Sequence, residues 1–326
     1  MGKTKYMSYY RLKKELNWSL REVGIVVYDG HRDLQMAINS DKNEELFNFL
    51  LFLSEFRTSN DIENYNQLTK KEKIDIINYL KEKNYLQLFQ APVDLTRTDL
   101  FLNCFPNTNY LNFRKYRESC KIIIIGLGTV GSHSLDMLVK LGFENFVLID
   151  GDKVEKKNLS AQSYFLSDVG KYKVKVMKSR YGEQASIQAH DQFITSIEDL
   201  SNLGVKINDD DIIINAADDY ILMRNLAQSI IDKDLACHII ESGYGPLLQT
   251  VYLINSSQTA QVFCEYIDNV VNDSIKHIND NSGSILNGYM SAFMIGQIII
   301  APFIGKSTFN GSYDFFSDKL DWREKL

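Results

Sequence analysis

The residues with the clearest chemical signature lie in the segment KIIIIGLGTVGSHSLDMLVKLGFENFVLIDGDKVEKKNLSAQ, residues 121–162. Its glycines Gly126, Gly128 and Gly131 have the spacing G-x-G-x-x-G. In this pattern the first glycine permits a tight turn, the second lets the backbone approach phosphate or ribose, and the third lets a helix pack closely on a strand. Free N–H groups at the start of the following helix favour anions. The spacing therefore predicts a nucleotide-binding turn.

The elements that must position this turn can be predicted on both sides of it. Ile122–Ile125 is a short apolar run rich in β-branched residues, which is typical of a buried parallel strand. We predict a helix over Ser132–Leu141 and a second strand over Phe146–Ile149. Asp150 closes that strand, where an acid can accept hydrogen bonds from ribose hydroxyls. This order of elements predicts an α/β fold built on a Rossmann-like, doubly wound sheet.

Polar residues recur in ordered blocks, and together these blocks resemble the E1-like (ThiF/MoeB) adenylating superfamily. The blocks are Asp150-Gly-Asp152, Asn158-Leu159-x-x-Gln162, Asp168-Val169-Gly170-x-x-Lys173 and the segment DIIINAADD at 211–219, followed by Arg224-Asn225. Several ordered blocks are far more specific than a lone glycine motif. The resemblance extends from Arg97 to Gly305 and implies an enzyme that uses ATP to activate a carboxylate.

The resemblance implies a role for each polar residue in that reaction. A carboxylate and the α-phosphorus of ATP must meet, so the site has to neutralise charge and hold both reactants in line. Lys173 would supply a mobile cation for the phosphates. Asn158 and Gln162 would supply neutral donors that orient oxygens. Asp218 would supply a hard oxygen ligand for Mg²⁺, with Asp219 as the competing candidate.

Three further positions bear on the charge around the phosphates. Asp152 corresponds to a family residue near the phosphates, beside the ribose-binding Asp150. Where most relatives have Arg in N-L-x-R-Q, this chain has Ala161, so one phosphate-contacting cation is missing. Arg97 matches a family element that reaches into the partner subunit's ATP site. The resemblance thus implies a homodimer in which Arg97 acts in trans as an arginine finger.

The cysteines depart from the family pattern. Many relatives carry two C-x-x-C pairs, which are a strong signal for structural zinc. This chain has four cysteines, all far apart in sequence: Cys104, Cys120, Cys237 and Cys264. We therefore predict no zinc site, no disulfide framework and no obligatory catalytic cysteine.

The first ninety or so residues predict a second domain. Strands are expected over Glu22–Tyr28 and Asp33–Asn39, around the hairpin signal Asp29-Gly30. The predicted helices are Leu46–Phe56, Asp61–Tyr65 after Thr58-Ser59, and Lys70–Lys83 after Thr69. This pattern is similar to winged-helix domains that bind the leader of a precursor peptide by adding it to a sheet edge. We predict a leader-recognition domain over 1–92 and an adenylation domain over 93–326.

Composition argues against other classes of protein. The net charge is −6, and residues 1–90 contain 14 Lys+Arg and 13 Asp+Glu by direct count, so no nucleic-acid partner is expected. An NAD-sensing winged-helix repressor, the second alternative, would leave Lys173 and Asp218 without a role. The apolar run Met294–Ile304 is short for a membrane span and contains Pro302. We expect a cytoplasmic protein without a membrane partner.

The missing zinc pairs and the N-terminal module favour the peptide-modifying branch, similar to microcin C7-type and pantocin A-type enzymes. The leader would dock on 1–92, and the core-peptide carboxylate would be adenylated or phosphorylated. An intramolecular nitrogen would then close a ring with loss of water, in peptide-antibiotic biosynthesis. Glu241–Gly245 is expected to line the peptide channel and Asp280–Tyr289 to cover it as a loop before the helix Met290–Ile300. Adenylation of a sulfur-carrier C-terminus, as in ThiF and MoeB, stays the first alternative.

Overall fold

A computed structural model of the chain describes residues 8–29, 34–105, 108, 110–273, 283–307 and 310–323. The chain divides into two compact units, Met1–Tyr110 and Leu111–Leu326. Each unit has its own apolar core. The domain limits that we predict from the sequence, 1–92 and 93–326, stay a prediction.

The first unit contains two small antiparallel sheets with helices between their strands. Its elements in chain order are β1 (Tyr9–Leu12), β2 (Asn17–Arg21), β3 (Gly24–Asp29), β4 (Leu34–Ile38), α1 (Asn43–Leu53), β5 (Arg57–Thr58), α2 (Ser59–Asn64), α3 (Lys70–Glu82), β6 (Leu86–Phe89) and α4 (Arg97–Asn103). One sheet has the strand order β5-β1-β6 and the other β2-β3-β4.

The strands and helices predicted for the first unit are present with shifted ends; the helix predicted over Leu46–Phe56, for example, spans Asn43–Leu53. β3 and β4 pair in antiparallel register, with Ile25 opposite Ile38, whereas the turn residue Gly30 lies outside the described residues. α2 and α3 begin after Thr58 and Thr69, and each threonine forms a capping box that satisfies free N–H groups of the helix. Whether this unit acts as a winged helix stays a prediction.

The second unit is built on one eight-stranded sheet. Its elements in chain order are α5 (Tyr110–Ser119), β7 (Lys121–Ile125), α6 (Thr129–Leu141), β8 (Asn145–Ile149), α7 (Lys173–Tyr181), β9 (Ser186–His190), α8 (Ile197–Asn202), β10 (Ile212–Asn215), α9 (Tyr220–Ile231), β11 (His238–Tyr244), β12 (Leu248–Ile254), α10 (Ser257–Asp273), α11 (Ile285–Ile300), β13 (Asn310–Asp314) and β14 (Lys319–Arg323). The strand order is β14-β13-β12-β11-β10-β7-β8-β9.

The sheet is parallel from β9 to β11 and antiparallel from β11 to β14. The parallel strands are nearly continuous apolar runs, and Ile122, Ile123 and Ile124 of β7 are all at 0% exposure. Such runs are what strands covered on both faces require. Chain order reverses between β7 and β10, because β8 and β9 lie on one side of β7 and β10 and β11 on the other. Open α/β sheets bind ligands at such a switch point, outside the carboxyl ends of the strands. The predicted Rossmann-like fold is confirmed.

Helix α11 is longer than predicted. It begins at Ile285 instead of Met290, so part of the predicted loop Asp280–Tyr289 is helical, and residues 280–282 lie outside the described residues. With its final turn, the segment Ile285–Ile304 is long and apolar enough to span a membrane by length and composition alone. In the structure 61% of its 18-residue apolar stretch is buried, and the helix packs against α6 and β12. These contacts are those of a core helix.

Candidate functional site

The glycine turn between β7 and α6 is held by contacts that exclude side chains. Gly126 has φ of +86°, and a Cβ there would lie 2.8 Å from the backbone of Ala216. A Cβ on Gly131 would lie 1.9 Å from the Gly126 carbonyl oxygen, so helix and turn touch directly. A Cβ on Gly128 would meet the Gln162 amide at 3.8 Å, so space remains above the start of α6. The tight turn at Gly126 and the close helix contact at Gly131 are the roles that the spacing predicts. The approach of a phosphate to Gly128 stays a prediction.

A cleft of about 760 Å³ opens above this turn, at the carboxyl ends of the parallel strands. Residues from several segments line it: 125–126, 128–130, 149–150, 152, 162, 173, 192–195, 216–219, 223, 242–246 and 283. The cleft therefore brings together the predicted residues Asp150, Asp152, Gln162, Lys173 and Asp218.

Asp150 forms a buried anchor at the end of β8. Its Oδ2 accepts a hydrogen bond from the Leu127 N–H at 2.6 Å, and its Oδ1 accepts from the Asp152 N–H at 2.7 Å. Burial raises the pKa of the Asp150 carboxyl, and the nearby Lys173 ammonium opposes that rise. The carboxylate thus fixes the loop after β7 as well as facing the cleft.

Lys173, the first residue of α7, is only 4% exposed. Its Nζ lies 2.9 Å from Asp152 Oδ2 and 3.6 Å from Asp150 Oδ2. The neighbouring Lys171 and Lys175 are exposed, and Lys175 pairs with Asp191 at 2.6 Å. Of these three lysines, Lys173 is the one whose ammonium group faces the cleft.

The two acids after β10 have different surroundings. Asp219 caps α9, because its Oδ1 accepts from the Ile221 N–H at 2.9 Å and from the Leu222 N–H at 3.1 Å. Asp218 is exposed in the wall of the cleft, and within the described residues no hydrogen bond engages its carboxylate. Asp218 therefore has the free carboxylate that a metal site needs.

The two predicted amides are placed differently from each other. Gln162 lines the cleft, and its Oε1 is buried without a hydrogen-bond partner among the described residues, so this amide can turn towards a ligand. Asn158 is not among the described residues that line the cleft; its Oδ1 accepts from the Glu155 N–H at 2.7 Å. That bond closes a short 3₁₀ turn, Lys156–Ser160. A nucleotide-binding role for Asn158 stays a prediction.

The position of the missing family arginine has a structural role instead. The carbonyl oxygen of Ala161 lies 3.0 Å from His133 Nε2, and both residues are buried. Burial lowers the pKa of His133 and so favours the neutral imidazole. Arg97 is an exposed residue at the start of α4 in the first unit. Arg224 is paired with Asp268 at 2.7 Å.

The cysteines are isolated thiols in the described residues. Cys104 is partly exposed and the other three are buried. Cys264 belongs to the apolar cluster under α10, and burial raises the pKa of its thiol, which weakens it as a nucleophile. Among the described residues no group of three or more His, Cys, Asp or Glu side chains could hold a metal ion. The absence of zinc stays a prediction.

Sequence reasoning missed a buried polar pair beneath the cleft. Asn215 ends β10 and Glu241 lies beside it in β11, at 1% and 2% exposure. Asn215 Nδ2 donates to Glu241 Oε2 at 2.9 Å and to Oε1 at 3.2 Å. The prediction that Glu241 lines the peptide channel is wrong, because in this segment the described lining of the cleft starts at Ser242. The available signal is a polar residue directly after apolar strand residues. Asn215 follows three isoleucines in β10, and Glu241 follows two in β11.

Glu241 gives the protein a pH-dependent term in stability. Burial raises the pKa of its carboxyl from 4.5 to about 8, against the opposing hydrogen bond from Asn215. Since the folded state holds this proton more tightly, the stabilisation is complete below pH 4.5 and is lost as pH rises to about 8.

We therefore expect Glu241→Gln, which does not titrate, to gain stability over the wild type as pH rises from 5 to 9. The gain should be on the order of a few kcal/mol. Urea unfolding at several pH values measures it. A difference that stayed constant with pH would contradict the assignment.

A sequence model of the ThiF family matches residues 102–306. SUMO-activating enzyme subunit 2 of Dictyostelium discoideum is 31% identical over 154 residues, which cover 46% of this chain and 22% of that protein. The NEDD8-activating enzyme E1 catalytic subunit of Arabidopsis thaliana is 39% identical over 71 residues, which cover 22% of this chain and 16% of that protein. The chain thus matches less than a quarter of the length of these curated relatives.

Solved structures resemble the chain over nearly its full length. A crystal structure of E. coli MccB with AMPCPP and MccA has a TM-score of 0.64 at 18% identity and covers 97% of this chain and 96% of that one. MccB with ATP gives a TM-score of 0.65 with the same coverage. PaaA gives 0.69 at 20% identity and covers 96% of this chain and 100% of that one. At such identities the likeness shows a shared fold.

Proposed function

The chain belongs to the ThiF family, and we propose that it uses ATP to activate a carboxylate on a ribosomally made precursor peptide. The observation that carries the ATP-dependent step is the grouping in one cleft of the buried Lys173, the anchored Asp150 and the unengaged Asp218. A cation, an acid at the end of β8 and a free oxygen ligand are what a nucleoside triphosphate with its metal requires.

In the proposed reaction a carboxylate oxygen of the peptide attacks the α-phosphorus of ATP. The new O–P bond forms as the bond to the β-phosphate breaks, and pyrophosphate leaves. A peptide nitrogen then attacks the acyl carbon and AMP leaves, so the ring closes with overall loss of water. In the alternative course the γ-phosphoryl group is transferred, and ADP and phosphate are the products.

The residues of the cleft would act on charge and position. The Lys173 ammonium lies between two carboxylates and can turn to the phosphates as they enter. The Gln162 amide would orient a phosphate oxygen beside the glycine turn. Asp218 would hold Mg²⁺, which would neutralise part of the negative charge on the phosphates. Ser242 and Gly243, further along the cleft wall, would face the peptide.

The peptide assignment is supported by fold likeness that includes the first unit. The alignment with MccB, in a structure that also contains MccA, covers 97% of this chain. In the first unit β2 and β4 are the outer strands of their sheet, so each has an unpaired edge in that sheet. An extended leader peptide can add to such an edge through main-chain hydrogen bonds. We propose that residues 1–92 bind the leader in this way.

An intact-mass assay tests the proposal. Purified enzyme, ATP and Mg²⁺ are mixed with the short peptide encoded beside the gene, and the nucleotide products are measured in parallel. We expect loss of water from the peptide together with AMP or ADP. A stable nucleotide adduct on the peptide would mean that ring closure is the wrong second step. An unchanged peptide and unconsumed ATP would refute the proposal.

A second candidate is adenylation of the C-terminus of a small carrier protein. It is favoured by the curated relatives, which are named as activating enzymes for SUMO and NEDD8. Pyrophosphate exchange that required a carrier protein ending in Gly-Gly, and not the precursor peptide, would select this function.

We also propose a homodimer in which Arg97 completes the partner's ATP site. Arg97→Ala and Lys173→Ala should each be nearly inactive alone. After mixing and subunit exchange, each mixed dimer contains one intact site, so about a quarter of wild-type activity should return if dimers re-form at random. No recovery in mixed dimers, once their formation is shown by native mass spectrometry, would contradict action in trans.

Phe193 offers an aromatic face for the nucleotide base. Its side chain is 73% exposed in the cleft wall, and a Cβ added at Gly151 would lie 2.5 Å from its ring. The ring therefore rests on the backbone next to Asp150. Since aromatic stacking on a base contributes roughly 1–3 kcal/mol, we expect Phe193→Ala to raise KM for ATP about tenfold with little change in kcat.

The matched control for Phe193 is Phe165→Ala. Phe165 is 65% exposed and is not among the described residues that line the cleft. Steady-state kinetics of the two variants provide the comparison. Equal KM values for ATP in both would rule out base stacking on Phe193.

A further inference from the structure

The buried pair Asn215–Glu241 is hydrogen-bonded to the backbone N–H of Ala217. Ala217 N–H donates to Asn215 Oδ1 at 3.2 Å, while Asn215 Nδ2 donates to both oxygens of Glu241. A backbone N–H can only donate, so it fixes which end of the Asn215 amide carries the oxygen. Glu241 is consequently the acceptor that holds the amide in this orientation.

The turn from Ala216 to Asp219 is anchored on both sides of Asp218. Ala216 N–H donates to the Ile125 carbonyl at 2.8 Å, and Ala217 N–H is held by Asn215. Asp219 is fixed to the first N–H groups of α9. Between these anchors Asp218 is the residue whose carboxylate is left unengaged within the described part of the chain. The backbone that carries this carboxylate therefore has little freedom.

We infer that Asn215, oriented by Glu241, is a positioning residue that presents the Asp218 carboxylate to the metal of the nucleotide. The inference rests on the proposed ATP-dependent function. Stability alone does not explain the pair, because an apolar pair of similar volume commonly replaces a buried polar one without loss. Outside the pair, and among the described residues, the Asn215 side chain forms a hydrogen bond with the backbone of Ala217, the neighbour of Asp218.

Two double variants separate positioning from stability. Asn215→Leu with Glu241→Met keeps the buried volume and leaves neither partner orphaned, but Ala217 N–H loses its acceptor. Asn215→Asp with Glu241→Gln reverses the pair. Asp at 215 can still accept from Ala217 N–H, and Gln at 241 can donate to it. The reversed pair also keeps one carboxyl group, as in the wild type.

The direct readout is Mn²⁺ binding, measured by electron paramagnetic resonance with a non-hydrolysable ATP analogue. Removing a residue that orients a metal ligand typically weakens metal affinity about 10–100-fold. We expect a loss of that size in the apolar pair and a change of no more than about threefold in the reversed pair. An apolar pair that keeps wild-type affinity, or a reversed pair that loses as much affinity as the apolar pair, would overturn the inference.

Hydrogen exchange of the Ala217 amide separates this inference from the proposed function. It should become at least about tenfold faster in the apolar pair and stay slow in the reversed pair, whether or not the wild type binds Mn²⁺. Wild-type protein that fails to bind Mn²⁺ with the ATP analogue would refute the proposed function. An Ala217 amide that exchanges equally in all three proteins would refute the positioning role.

Discussion

Asp218→Asn is expected to lower ATP-dependent turnover about a hundredfold or more while leaving the fold intact. The side chain is exposed in the cleft, and no hydrogen bond engages it within the described residues, so its removal disturbs little structure. We expect the variant to bind Mg²⁺ more weakly, because the amide oxygen of Asn is uncharged and the carboxylate of Asp is not. Pyrophosphate exchange at several Mg²⁺ concentrations would measure the effect. The variant should need more Mg²⁺ for half-maximal rate.

Asp219→Asn is the matched control, since it makes the same chemical change one residue away. Asp219 caps α9, and Asn is as good a cap as Asp, so both stability and turnover should stay close to wild type. Asp219→Ala should instead cost about 1 kcal/mol of stability through the lost cap. A hundredfold loss in Asp219→Asn with a fully active Asp218→Asn would reverse the assignment of the metal ligand.

The strands that are easiest to predict from the sequence are those whose own residues are so apolar that they must be buried. β7 (KIIII) and β10 (IIIN) each contain an uninterrupted run of isoleucines, which is typical of strands that are buried on both faces. β2, with the sequence NWSLR, mixes polar and apolar residues and becomes a strand by pairing with β3. Its conformation depends on the partner, so the segment alone does not indicate it.

The candidate site divides in the same way. Gly126 directly follows β7, and Lys173 is the first residue of α7. Their positions in the chain relative to these elements therefore determine where they lie in the fold. The sequence places Glu241 in the channel, whereas strand alternation turns its side chain away from the cleft and the side chain of Ser242 towards it. Phe193 follows β9 in a loop, and nothing in its sequence context indicates that Gly151 would support its ring. Contacts between residues distant in sequence escape pattern reasoning.

Lys173→Met should abolish most nucleotide-dependent activity and also change how stability depends on pH. Lys173 is the buried cation between Asp150 and Asp152. Without it the triphosphate would meet two carboxylates, and the described lining of the cleft holds no other lysine or arginine to offset them. We expect at least about a hundredfold loss of turnover and a raised KM for ATP, measured by pyrophosphate exchange. Lys175→Met is the control, because Lys175 is exposed and pairs with Asp191 away from the described lining of the cleft. It should leave turnover unchanged.

The stability of the Lys173→Met variant provides an independent check. Burial already raises the pKa of Asp150, and Lys173 opposes that rise, so the pKa should climb further in the variant. A carboxyl with a raised folded-state pKa stabilises the protein most below its ordinary pKa of 3.8 and less as pH rises. The difference in unfolding temperature between variant and wild type should therefore widen as pH increases above 3.8. A difference in unfolding temperature that did not change with pH would contradict the coupling between the Asp150 carboxyl and the Lys173 ammonium.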